Sequence, residues 1–143
     1  MNVFSETALA LARVGENLVG IDLSHVLALL ESPLITPLPR LPECCEGIVF
    51  WQGGAIPVYD LKKALNLPTS GADRTSREAI VLVGRWRHAP VGLRVDEAFR
   101  VIEAPPLESS RSAAPQLRGE ATFEGRRLYV LEPQAAYPGL PQD

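Results

Sequence analysis

Apolar positions along the chain fall in short runs broken by glycine, proline and polar clusters, a pattern of strands and turns rather than long helices. Leu9 to Val14 reads as a strand, Gly15-Glu16-Asn17 as a turn, and Leu18 to Leu23 as the returning arm of a hairpin. Ser24 to Ser32 fits either a helical turn or a further strand. Prolines at 33, 37, 39 and 42 exclude helix from the next stretch. Ile48 to Gln52 and Ala55 to Tyr59 read as a second hairpin around Gly53-Gly54. Asp60 is placed to cap a short helix, Leu61 to Asn66, with Pro68 beyond its end. The same alternation then resumes. Ala79 to Val83, Val91 to Val95 and Phe99 to Ile102 read as strands, and residues 104–116 as a long loop. Ala121 to Phe123 and Arg127 to Leu131 flank a turn at Glu124-Gly125. Prolines at 133, 138 and 141 leave no room for a substantial closing helix.

Shifting the sequence by 72 positions superposes two separate stretches in one register. Val19 to Glu31 falls on Val91 to Glu103. Gly47, Trp51, Gly53, Val58 and Asp60 fall on Gly119, Phe123, Gly125, Val130 and Glu132. One unit is therefore present twice. Many short strands with little helix suit small barrels, so two copies predict two small barrels packed side by side. The expected division is a first sub-barrel over about 15–67, a linker over 68–77 and a second sub-barrel over about 78–133. The strand at 8–14 is left unassigned between them.

The repeat also sorts faces. In Glu120-Ala121-Thr122-Phe123-Glu124 the alternation turns Ala121 and Phe123 inward. Carried back, it turns Val49 and Trp51 inward and Ile48, Phe50 and Gln52 outward. Two large apolar groups on an outer strand face have two readings. They pack against the other barrel or a loop, or they form an exposed docking patch.

Composition narrows the class. At 143 residues a chain buries about two thirds of its unfolded surface without a metal or disulfide. The net charge of −3, with arginines scattered among acids, leaves no basic stripe for nucleic acid. The two cysteines are adjacent, which is no disulfide framework. No signal peptide or spanning segment is evident, so a cytoplasmic protein without membrane insertion is expected. Cys44, Cys45, His25 and His88 hold zinc-binding atoms at the wrong spacing, and no metal or other cofactor is expected. Asp22, His25 and Asp60 would suit acid–base work, but Asp60 reads as a helix cap and the repeat partner of Asp22 is Arg94. No nucleophile elbow or phosphate loop occurs, and no catalytic residues are assigned. A binding role, not an enzyme, is the expectation.

Residues Gly47-Ile48-Val49-Phe50-Trp51-Gln52-Gly53-Gly54-Ala55-Ile56-Pro57-Val58-Tyr59-Asp60-Leu61 resemble the G-V-x-N-L-R-G-x-x-x-P-x-x-D-L segment of CheW-like chemotaxis coupling proteins. Val19-Gly20-Ile21-Asp22 with Val26, Val91-Gly92 with Val95-Asp96, and Leu117-Arg118-Gly119 through Gly125-Arg126 resemble further stretches of that family. The resemblance spans about residues 8 to 132. It implies an all-β fold with minor helix: two small five-stranded β-barrels side by side. It implies a non-catalytic adaptor joining the cytoplasmic tip of a chemoreceptor to the regulatory domain of a histidine kinase, in the cytoplasm and recruited to receptor arrays. The receptor would lie in a groove at Val26, Ala55, Val95 and Ala98 with Gln52 at its rim, and the kinase would meet Leu38, Leu41 and Gly47. Phe50, Trp51 and Gln52 stand where the family has Asn, Leu and Arg. An accessory protein that holds the receptor but not the kinase is thus a second reading. A small ligand-binding barrel or enzyme is a third.

Overall fold

The computed structural model describes residues 8–41, 44–65, 80–86, 89–108 and 117–132. The expected linker and His88 lie outside them. Ten strands account for most of the described chain. They are β1 (Ala8–Val14), β2 (Asn17–Asp22), β3 (Val26–Glu31), β4 (Cys45–Trp51), β5 (Gly54–Asp60), β6 (Ile80–Trp86), β7 (Ala89–Val95), β8 (Glu97–Glu103), β9 (Leu117–Phe123) and β10 (Arg126–Leu131). Between β2 and β3 lies a 3₁₀ turn, Leu23–His25, so the ambiguous stretch holds both a helical turn and a strand. After β5 comes α1 (Leu61–Leu65), whose Lys62 N–H donates to Asp60 Oδ1 at 3.0 Å, the expected cap.

Every strand of the first five reappears 72 residues later, with bounds agreeing to within a residue. The match extends to β1 and β6, which the two superposed stretches had not covered. The strands form two five-stranded sheets of corresponding order, β8-β1-β2-β10-β9 and β3-β6-β7-β5-β4. The fold class is as expected: all-β, one minor helix, two five-stranded units. The described ladders run from one end strand to the other without a closing pair, so each unit is an open sheet around its own core.

The halves of the sequence do not coincide with the sheets. The first sheet takes β1 and β2 from the first copy and β8, β9 and β10 from the second. The other sheet takes β3 to β5 from the first copy and β6 and β7 from the second. The expected split at 15–67 and 78–133 is therefore corrected: the copies exchange strands. The physical cause is the short Leu23–His25 turn, which carries the chain out of one sheet and into the other. Asp96 does the same between β7 and β8. The strand at 8–14 finds its place in the first sheet, between β8 and β2.

Alternation and register shifts within the ladders distribute the apolar residues over three cores. Leu9, Leu11, Leu18, Ala121, Leu128 and Val130 fill the first sheet. Val49, Ile56, Val58, Val81 and Val83 fill the second. A larger cluster joins the two sheets, with Ala12, Val14, Val19 and Ile21 from one and Leu82, Trp86, Val91, Leu93 and Val95 from the other. The register shift at Leu11/Ala12 explains how β1 serves two cores: it lets Ala12 and Val14 aim away from Leu9 and Leu11.

The β4–β5 hairpin turns at Gln52-Gly53, not at Gly53-Gly54. Trp51 pairs with Gly54, leaving a two-residue loop whose residues have φ of 51° and 81°. A loop that short favours a turn with positive φ at both positions. Its copy, Glu124-Gly125, repeats the geometry at 53° and 78°. Gln52 thus sits on a turn and not at the end of a strand face.

Candidate functional site

The outer face of the β4–β5 hairpin is built from alternate residues that point away from Val49, Ile56 and Val58. Ile48 pairs with Pro57 and Phe50 with Ala55, so these four share that face. The free edge of β4 is covered by the proline-interrupted segment before it. Thr36 N donates to Ile48 O at 2.8 Å and Ile48 N to Thr36 O at 2.9 Å. Ile35 packs into the sheet core, which turns its neighbours outward. Carrying the Thr36–Ile48 register two residues on places Leu34 level with Phe50. Both lie open to solvent, Leu34 at 81% and Phe50 at 70%. Covering both would contribute about 2–5 kcal/mol to an association.

The repeat supplies an internal control. Glu108 N donates to Glu120 O at 2.7 Å, the same bridge 72 residues later. The corresponding face of β9 and β10 is ionic. Arg127 Nη2 bonds Glu120 Oε1 at 2.7 Å and Arg127 Nη1 bonds Glu108 Oε1 at 3.0 Å. A hydrogen bond with Thr122, then the Arg127 guanidinium, hold the Glu108 carboxyl below the usual carboxylate range. Charged residues satisfy one another on one copy, whereas Ile48, Phe50 and Ala55 are apolar and lack such partners on the other.

The residues expected to meet a receptor are spread over several places. Val26 opens edge strand β3 and Ala98 lies in edge strand β8; they are repeat partners, both half-buried against the core between the sheets. Ala55 and Gln52 are exposed on the β4–β5 hairpin. Val95 is corrected: at 2% exposure it belongs to the core between the sheets and offers no surface to a partner. Of the residues expected to meet a kinase, Leu38 is 44% exposed and Leu41 leans on the core between the sheets. Gly47 is buried beneath Thr36, where a side chain would collide with the Thr36 carbonyl. Its part is to let the covering segment approach. Leu34 was not singled out from sequence; the repeat pairs of Thr36 with Glu108 and Ile48 with Glu120 were the signal that marks its neighbourhood.

The other chemistry-bearing groups are occupied locally. Asp22 Oδ1 accepts from the Ser24 N–H at 3.1 Å and the Ser24 hydroxyl at 2.8 Å. Asp60 caps α1. Cys44 and Cys45 are buried side chains, not joined in a disulfide, beside Tyr59. Burial, then the Cys45 and Cys44 thiols, push the Tyr59 phenol up to about 12. Among the described residues no three His, Cys, Asp or Glu side chains gather as metal ligands would. No described helix is long and apolar enough to cross a membrane.

Comparison with known proteins agrees with this architecture. The model of the CheW-like domain matches residues 8–137. Protein FrzA of Myxococcus xanthus is 30% identical over 112 residues, which cover 78% of this chain and 66% of that protein. Chemotaxis protein CheW of Rhizobium meliloti is 25% identical over 88% of this chain and 84% of its own length. The fold is that of the scaffolding protein TtCheW from Thermoanaerobacter tengcongensis, with a TM-score of 0.74, 23% identity and 89% of each chain covered. The chain spans just under two thirds of the FrzA sequence it matches. With a matching model over nearly its whole length and that fold, the chain belongs to the CheW-like domain family.

Proposed function

We propose that this chain is a non-catalytic, cytoplasmic adaptor in a bacterial chemotaxis-like signalling system, linking the cytoplasmic tips of chemoreceptors to the regulatory domain of a histidine kinase. Family membership sets the class. The observation that carries the contact surface is the contrast between the apolar outer face at Leu34, Ile48 and Phe50 and the ion-paired face of its copy. An adaptor acts by holding two partners, and it shifts kinase activity only through different affinities for the kinase's states.

The test is size-exclusion chromatography of the chain with a receptor-tip fragment and with a kinase regulatory domain. Co-elution with each is expected at tens of micromolar, roughly the weakest contact useful in an array. Elution apart from both would sink the adaptor reading.

Phe50 and Gln52 favour a second reading, an accessory protein that holds the receptor alone. Gln52 lies on an exposed turn where the family's Arg would place a charge. Phe50→Asn with Gln52→Arg is then expected to create kinase binding absent from the unmodified chain. Kinase binding by the unmodified chain would exclude this version.

A further inference from the structure

Two ion pairs of opposite polarity lie at corresponding corners of the two sheets. In the sheet of β3 to β7, Arg94 of β7 pairs in register with Asp60 of β5, and its Nη1 donates to Glu46 Oε1 of β4 at 2.8 Å. Both side chains of that ion pair are largely covered, at 26% and 20% exposure. In the other sheet, Arg118 of β9 donates from Nε to Oε1 of Glu132, the residue after β10, at 3.3 Å. The β2–β10 register, carried two residues on, sets Asp22 level with Glu132. A shift of 72 relates Glu46 to Arg118, Asp22 to Arg94 and Asp60 to Glu132. The sign is thus reversed at the first two places and kept at the third.

The exchange of strands gives this reversal a consequence. Each corner draws its members from both copies. Glu46 of the first copy meets Arg94 of the second, and Arg118 of the second shares its corner with Asp22 of the first. Because the copies hold the same five strands, two chains can in principle build the same sheets from like halves. Two first copies would set Glu46 against Asp22, and two second copies would set Arg118 against Arg94. Asp60 and the α1 lysines, Lys62 and Lys63, stay beside Glu46 in either arrangement, and Glu132 stays beside Arg118. Only the group supplied by the opposite half changes, from the opposite charge to the same charge.

We propose that the reversed charges at Glu46, Arg94, Asp22 and Arg118 are an assembly device: they let each half of the chain complete its sheets with the opposite half and reject a like half from a second copy of the chain. Charge complementarity acts here on the choice of partner. Like charges brought together exclude a wrong partner more effectively than opposite charges tighten the right one, and a partly covered site is screened less by salt than an open one. The need arises during synthesis. Strands β1 to β5 precede β6 to β10 in the chain, so first-copy halves of neighbouring nascent chains meet before either has its own second half. At that moment a like half is the available partner, and Glu46 faces a carboxylate.

The test is refolding of the full chain from urea at low and high protein concentration, with the products separated by size-exclusion chromatography. Glu46→Arg with Arg94→Asp installs at each place the residue of the other copy. It keeps an ion pair within the sheet but makes like halves compatible. At low concentration this double variant is expected to give the same product as the unmodified chain. At high concentration its fraction of dimers and larger forms is expected to exceed that of the unmodified chain by about threefold or more. Gly47→Ala, which strains the same strand without touching a charge, is expected to stay within about twofold of the unmodified chain. Equal fractions for the double variant and the unmodified chain would show that packing alone selects the opposite half, and would overturn the inference. An equal rise with Gly47→Ala would trace the dimers to lost stability and overturn it as well. If circular dichroism shows the double variant unfolded at low concentration, Glu46→Gln with Arg94→Gln, which removes both charges, takes its place. A rise in its dimer fraction at high concentration supports the inference, and no rise overturns it.

Discussion

A methyl group added at Gly47 would sit 2.3 Å from the carbonyl oxygen of Thr36 and 2.8 Å from its carbonyl carbon. Both are backbone atoms, so nothing can rotate aside. Gly47→Ala is expected to destabilise the fold by about 1–3 kcal/mol through overpacking, read as a lower urea midpoint at unchanged slope. A midpoint equal to that of the unmodified chain would show that the covering segment moves freely. Tyr59 gives a second outcome, in pH. Its phenol titrates at about 12 in the folded state against an ordinary value of 10.0. The neutral form is thus favoured by folding. Its contribution is present in full below pH 10 and is lost as pH rises from about 10 towards 12. Tyr59→Phe is expected to lose less thermal stability than the unmodified chain between pH 9 and 11.5. An equal loss would mean that burial does not hold that proton. Phe50 was legible in the sequence because Thr122 occupies its place in the other copy.

At the scale of elements, most strands were legible from alternation and the cap at Asp60 from residue type, but β8 and β9 run to seven residues each where the sequence pattern marked only 99–102 and 121–123, and β3 was left open between turn and strand. The position of the β4–β5 turn was not, since Gly53-Gly54 looks like the more permissive pair. Strand register overrode it: Trp51 must pair with Gly54 for Val49 and Ile56 to meet in the core, which leaves Gln52 in the turn at positive φ. The copy at Glu124-Gly125 held that answer. Which face of β4 stays open was also decided beyond the strand itself, by the covering segment 34–38. Phe50→Thr installs the residue of the other copy on this face. Because Phe50 is largely exposed, stability is expected to stay within about 0.5 kcal/mol. Binding of an apolar fluorescent dye is expected to fall, and co-elution with at least one partner to weaken by about tenfold. Unchanged binding to both partners would remove this hairpin face from the contact surface.

For the whole molecule, the duplication was legible but the exchange of strands was not. Each copy contains the same five strands, so the same local pattern is satisfied whether β8 pairs within its own copy or with β1. Only the short links at Leu23–His25 and Asp96 decide it. Neither half can then complete a sheet alone. Residues 1–67 and 78–143 made separately are expected to lack a cooperative thermal transition, and to regain one when mixed. Cooperative melting of either half by itself would contradict the exchanged topology. The exchange also fixes an order of events during synthesis. Strands β3 to β7 are contiguous, so their sheet can close once Val95 has emerged from the ribosome. Strands β1 and β2 emerge earlier; β1 waits for β8, and β2 lacks its second neighbour until β10 follows. At usual elongation rates that interval, from Asp22 to Leu131, is roughly 5–20 s. A ribosome-bound chain arrested just after Val95 emerges is expected to protect the amides of Val81 and Val83 from exchange and leave those of Leu9 and Leu11 open. Protection in the opposite order would contradict this sequence of assembly. The strands made first are the last to be enclosed, and until then their apolar faces are the part of the nascent protein that a chaperone would have to shield.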